Sequence, residues 1–109
     1  MALLTKEQIE AVQDIKTEIV KVTEWKGEVK IKTMTGAELD EWEFLSFTDE
    51  ATTPKEKSCR VRATLCAFCI VDDAGKRMYS VDEILNLAKK SGKAIKKIYQ
   101  AAAKLNFVT

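Results

Sequence analysis

The nine residues from Ala63 to Val71 carry no charge, in a chain of 109 residues of which 32% are charged. A helix that is apolar on every side has no face to give to water, so it lies inside a core. The run is too short to cross a bilayer, which takes about 18 or more apolar residues. Just upstream the sequence is crowded with Lys55, Glu56, Lys57, Arg60 and Arg62. One helix from Pro54 to Val71 is therefore expected, charged at its start and buried at its end. The rest of the chain has to cover it.

The covering elements are marked by their starts. Thr5 precedes Gln8 by three residues, Thr35 precedes Glu38, Thr53 precedes Glu56, and Ser80 precedes Glu83. Each pair fits a capping box, in which hydroxyl and carboxyl or amide side chains satisfy orphan backbone donors of the first turn. Leu4 with Ile9, Met34 with Leu39, and Tyr79 with Ile84 are placed as hydrophobic staples. Pro54 sits at the first helical position, where its missing N–H costs nothing. Helices are thus expected over about Thr5–Ile15, with Ile9, Val12 and Ile15 inward, and over Thr35–Phe47. One more is expected from Ser80 to about Lys90, broken by Ser91-Gly92, and a last one runs from beyond that break to about Asn106. The last of these has Ile95, Ile98, Ala102 and Leu105 along one stripe.

Between the first two helices the period changes to two. Strands are expected over Ile19–Trp25 and Glu28–Met34, around a two-residue Lys26-Gly27 turn in which Gly27 supplies the positive φ. That turn pairs Val22 with Ile31 and Val20 with Thr33. It puts Val20, Val22, Val29 and Ile31 on one face, with Lys21, Lys30 and Lys32 on the other. Asp72-Asp73-Ala74-Gly75 reads as a turn, followed by an extended piece over Lys76–Tyr79. The fold class is α+β: one mainly helical domain with a single antiparallel hairpin near its N-terminus. Residues 1–16 form a helix, 17–34 the hairpin and 35–106 the helical part.

The chemistry available is narrow. There is no histidine, so the commonest general base and metal ligand are missing. Cys66-x-x-Cys69 has ligand spacing and Cys59 lies upstream, but the pair falls in the apolar stretch. A fourth zinc ligand would have to be a carboxylate, so small core cysteines are the expectation. Asp40, Glu41, Glu43, Asp72 and Asp73 read as solvated helix and turn residues. No glycine-rich phosphate loop is present. Neither an enzyme nor a cofactor or metal is expected.

Charge is split along the chain. Residues 1–54 carry six basic and 12 acidic side chains, and residues 55–109 carry 12 basic and five acidic. Either the halves neutralise each other within one molecule, or copies associate acidic face to basic face. Lys89, Lys90, Lys93, Lys96, Lys97 and Lys104 form a basic face with only Tyr99 among them. Single-strand binders interleave aromatics more densely, so a solvated face is expected before nucleic acid. The charged N-terminus and the odd, clustered cysteines fit a reducing cytoplasm, with no membrane partner.

One segment points to a partner. Leu39, Trp42, Phe44, Leu45 and Phe47 fall within nine positions and cannot share one stripe. At about 100° per residue, Phe44 lies roughly 160° from Trp42. The candidates for partner binding are Trp42, Phe44 and Phe47, with Glu41 and Glu43 as a polar rim. Packing on both sides of the helix is the competing reading.

The order of these features resembles the tail assembly chaperones of long-tailed bacteriophages. The likeness is carried first by Leu3-Leu4-Thr5-Lys6-Glu7-Gln8-Ile9 and the Trp25-Lys26-Gly27-Glu28 turn. It continues through Met34-Thr35-Gly36-Ala37-Glu38 with its acidic, aromatic helix. It ends in the run from Arg60 to Asn106, with the Asp72–Lys76 turn and the lysine-rich last helix. The cysteine-rich centre departs from the plain aliphatics expected there. The resemblance implies a non-catalytic holdase in the bacterial host cytoplasm. Its client would be the tape-measure protein, kept soluble until tail-tube subunits polymerise, and self-association would be expected. A small nucleic-acid-binding regulator or a minor structural tail protein are the alternatives.

Overall fold

A computed structural model describes residues 3–47 and 54–107, with side chains for 3–46 and 61–107. Helix α1 spans Lys6–Ala11, strand β1 Thr17–Val22, β2 Gly27–Lys32 and helix α2 Gly36–Phe47. Helix α3 spans Pro54–Cys69, β3 Ile70–Val71, α4 Ile84–Ala88 and α5 Gly92–Asn106. The α+β class holds, and a third strand extends the expected hairpin into an antiparallel sheet of order β1-β2-β3.

The charge-free run is the centre of the molecule. Every residue from Ala63 to Val71 is buried, and all but Val71 belong to one core cluster except the hydroxyl-bearing Thr64. The helix ends two residues early, however. Ile70 and Val71 leave α3 and pair with Ile31 and Lys30 of β2. Both are β-branched, and β2 offers a free edge whose backbone groups need partners. The Asp72–Gly75 turn then folds the chain back, so that Arg77 bridges Val71. Asp72 Oδ1 accepts from the N–H groups of Ala74 and Lys76 at 2.9 and 3.0 Å, and Gly75 takes φ +85°.

The hairpin forms in a different register from the one expected. Val20 faces Val29 and Glu18 faces Ile31. The link is a single 3₁₀ turn over Thr23–Trp25, with Lys26 rather than Gly27 in the left-handed region at φ 55°. Turning early lets Trp25 pack against the core. The register differs by four residues, an even number, so Val20, Val22, Val29 and Ile31 still share a face. Helix α5 lies over that face, burying Ala94, Ile95, Ile98 and Ala102 beneath exposed lysines. Leu105 packs at its margin.

Three of the expected capping boxes lie within the described residues. Thr5 and Gln8 form one at α1, and Thr35 and Glu38 form one at α2. At the third, the Glu83 carboxylate accepts from both the N–H and the hydroxyl of Ser80. The expected Ser80–Lys90 helix is shorter and opens as a 3₁₀ turn over Val81–Glu83 before α4. Ser91 caps α5 through the Ala94 N–H. The Thr53–Glu56 box, the role of Cys59 and the side chain of Phe47 lie outside the described residues.

The first helix departs most from expectation. It stops at Ala11, and Val12 is extended at φ −67°, ψ 133°. Ile9, Val12 and Ile15 are 59%, 51% and 46% exposed rather than inward. The apolar face of the sheet, which they would have needed, is already taken by α5.

Candidate interaction surface

Helix α2 is held at its start and again about two turns in. At its start the Thr35 hydroxyl and the Glu38 carboxylate complete the capping box. Glu38 also pairs with Lys32 of β2 and, at 3.7 Å, with Arg77. Burial by itself would raise the Glu38 pKa. The bonds from Lys32 and Thr35 outweigh it and hold the carboxyl below the ordinary glutamate value. Just before the helix, Asn106 of α5 accepts from the Met34 N–H at 2.7 Å and donates to the Ala102 carbonyl at 2.8 Å. The start of α2 is thereby tied to the end of α5.

One turn further on, Trp42 is drawn inward. It is 7% exposed, stacks on Phe107 at 5.3 Å between ring centroids, and donates Nε1–H to the Val61 carbonyl at 3.3 Å. This corrects its reading as an exposed contact: Trp42 anchors α2 on α3. Helical geometry then sends Phe44 the other way, and it is 63% exposed. Asp40, Glu41 and Glu43 around it are also exposed. Of the expected partner-binding group, the structure therefore presents Phe44, Glu41 and Glu43 together and withdraws Trp42.

A second surface has the opposite charge. Arg62 of α3, Lys90 after α4 and Lys96 of α5 rim a cavity of about 290 Å³. Ala63, Ala88 and Ile95 also line it, and they make its apolar part. Arg62 lies over the Tyr99 ring at 5.7 Å. Lys93 reaches Glu24 at 3.8 Å. The Glu24 carboxyl is held below its ordinary value by a backbone hydrogen bond first, then by Lys97 and Lys93.

Sequence reasoning missed a third exposed surface. Leu3, Leu4, Ile9, Val12, Ile15 and Ile19 are all exposed, and no residue of α1 is buried. Ile9, Val12 and Ile15 have the spacing of a core-facing helix, so no sequence signal marked them as open.

The cysteines behave as core residues. Cys66 and Cys69 are buried and free, and burial pushes both thiols up to about 12. Cys66 Sγ donates to the Ile95 carbonyl at 3.7 Å, and Asn106 Nδ2 donates to Cys69 Sγ at 3.6 Å. Among the described residues no group of three or more cysteines, aspartates or glutamates is placed to hold a metal. Among the same residues no helix is long and apolar enough to cross a membrane.

No family model matches the chain, and no curated protein matches it. Among solved structures, the tail assembly chaperone of bacteriophage HK97 is similar, with a TM-score of 0.66 at 18% identity. The match covers 93% of this chain and 92% of that one. At such low identity the likeness is one of fold.

Proposed function

We propose that this chain is a tail assembly chaperone that binds a tape-measure protein and keeps it soluble until tail-tube subunits polymerise around it. The observation that carries the reading is the fold, similar over nearly the full length of both chains to the HK97 chaperone. The surface supports it. A holdase needs apolar side chains in solvent and charge to stay dispersed, and both are present around Phe44 and along residues 3–19. Binding of the unassembled client lowers its free concentration and so slows its aggregation.

The client contact is the outer edge of α2, formed by Phe44 with Glu41 and Glu43 at its rim. The outer edge of β1, which among the described residues has β2 as its one strand neighbour, is the second contact. Co-expression with a tape-measure protein from the same genome tests this. The client should be soluble only with this chain and should co-elute with it, and Phe44→Ala should weaken that recovery. A client whose solubility does not change on co-expression would refute the chaperone reading.

A further inference from the structure

We propose that the groove between α2 and α4 takes an amphipathic helix of a partner protein, its apolar row against Leu45, Val81 and Leu85 and its basic flanks against Glu41 and Asp82. That the partner is the client rests on the chaperone reading; the chemistry of the groove does not. The groove adds a recessed contact to the Phe44 edge.

Helices α2 and α4 both pack on α3, and between them lies a cavity of about 240 Å³. Leu45 of α2 lines one wall, and buried Thr64 of α3 lines its base. Val81, Asp82, Ile84 and Leu85, from the 3₁₀ turn and α4, line the other wall. Ile84 and Leu87 turn into the core, whereas Val81 and Leu85, four residues apart, stay exposed. The walls are helical, and the backbone groups of a helix are bonded within it. No strand edge is offered here. An occupant must therefore satisfy its own backbone, as a helix laid in a groove does.

Charge decides which helix. Glu41 stands one turn before Leu45 on the same side of α2 and is exposed. Asp82 lines the opposite wall. Lys89, one turn beyond Leu85, follows at the end of α4. A partner with lysine or arginine beside its apolar row is favoured at the two carboxylates over an acidic one. The helices of a second copy fit poorly. The exposed helix α1 carries Glu7 and Glu10 against one basic residue, Lys6. The lysine-rich α5 has its apolar face already buried. Nucleic acid would bring phosphates to the same carboxylates.

The test uses the full chain and two designed helical peptides that share one leucine row, flanked by lysines in one and by glutamates in the other. Fluorescence anisotropy should show the lysine-flanked peptide binding and the glutamate-flanked one not binding over the same concentrations. Leu85→Ser should weaken binding roughly tenfold or more, as when a leucine loses its burial. Its helical circular dichroism should be unchanged, because Leu85 is exposed in the free chain. Glu41→Lys with Asp82→Lys should reverse the preference between the peptides. Equal binding of both peptides, or binding that neither variant alters, overturns the proposal. A wild-type mass above the monomer's that falls to it in Leu85→Ser gives the groove to a second copy and also overturns it. The client separates this inference from the chaperone reading. If a tape-measure protein co-elutes equally with wild type and Leu85→Ser, the groove is not its site and the chaperone reading stands. If the peptides bind as stated but no tape-measure protein co-elutes with wild type, the chaperone reading falls and the groove keeps its helix.

Discussion

Trp42 and Phe44 are two residues apart on one helix, and truncating each should have opposite consequences. Trp42 is 7% exposed, stacked on Phe107 and bonded to the Val61 carbonyl. Trp42→Ala removes a near-complete burial and leaves a cavity, a loss of about 3–5 kcal/mol. It also strips the Val61 carbonyl of its indole donor. Total stability for a domain is only about 5–15 kcal/mol, so much of it goes. At roughly 4–8 °C per kcal/mol for a domain slightly smaller than this one, Tm should drop by on the order of 10–20 °C or more. Trp42→Phe keeps the ring stack but loses the hydrogen bond, and should cost about 1–3 kcal/mol. Phe44, 63% exposed, makes no comparable burial, and Phe44→Ala should stay within about 0.5 kcal/mol of wild type. Urea unfolding followed by circular dichroism, with Tm from calorimetry, reads all three. The reasoning fails if Trp42→Ala costs under about 1 kcal/mol, or if Phe44→Ala is the more damaging change.

Stability should also respond to acid through Glu38. Its folded pKa lies below the ordinary value, so its contribution is present above the unfolded value of about 4.3 and is lost as pH falls through the folded one. Glu38→Gln should shrink the drop in urea midpoint between pH 6 and acid conditions; an equal drop in both proteins would remove Glu38 as a cause. Cys66 and Cys69, with thiols pushed up to about 12 and buried, should resist an aromatic disulfide reagent at pH 8. In a Cys59→Ser protein both should react only once denaturant is added, and fast labelling of the native chain would contradict their placement. Gly75 holds φ +85°, where a Cβ costs about 1–2 kcal/mol. Gly75→Ala should lower stability by that amount despite open space around it, and an unchanged urea midpoint would mean that the turn relaxes to negative φ.

Much of this architecture was legible because it is governed by neighbours in sequence. Thr35 with Glu38 and Ser80 with Glu83 act over three residues, and the Asp72 turn over four, so local chemistry decides them. The burial of Ala63–Val71 was equally legible, because a charge-free run has one place to go. The faces of the hairpin survived an error in its register for the same reason: alternation is a property of each strand alone.

What the tertiary structure decided is where one element had to find another. Ile70 and Val71 became a strand because β2 had a free edge beside them, a fact absent from their own spacing. Trp25 turned inward and moved the hairpin register with it. The inward residues of the first helix were left in water because α5 already covered the sheet. Trp42 and Phe44 have the same apolar character in the sequence; Phe107, sixty-odd residues downstream, and the Val61 carbonyl chose which one is core and which is surface. Composition and periodicity determine how much apolar area must be buried and on which faces, but the competition among those faces for a limited number of partners is settled only when the chain closes on itself.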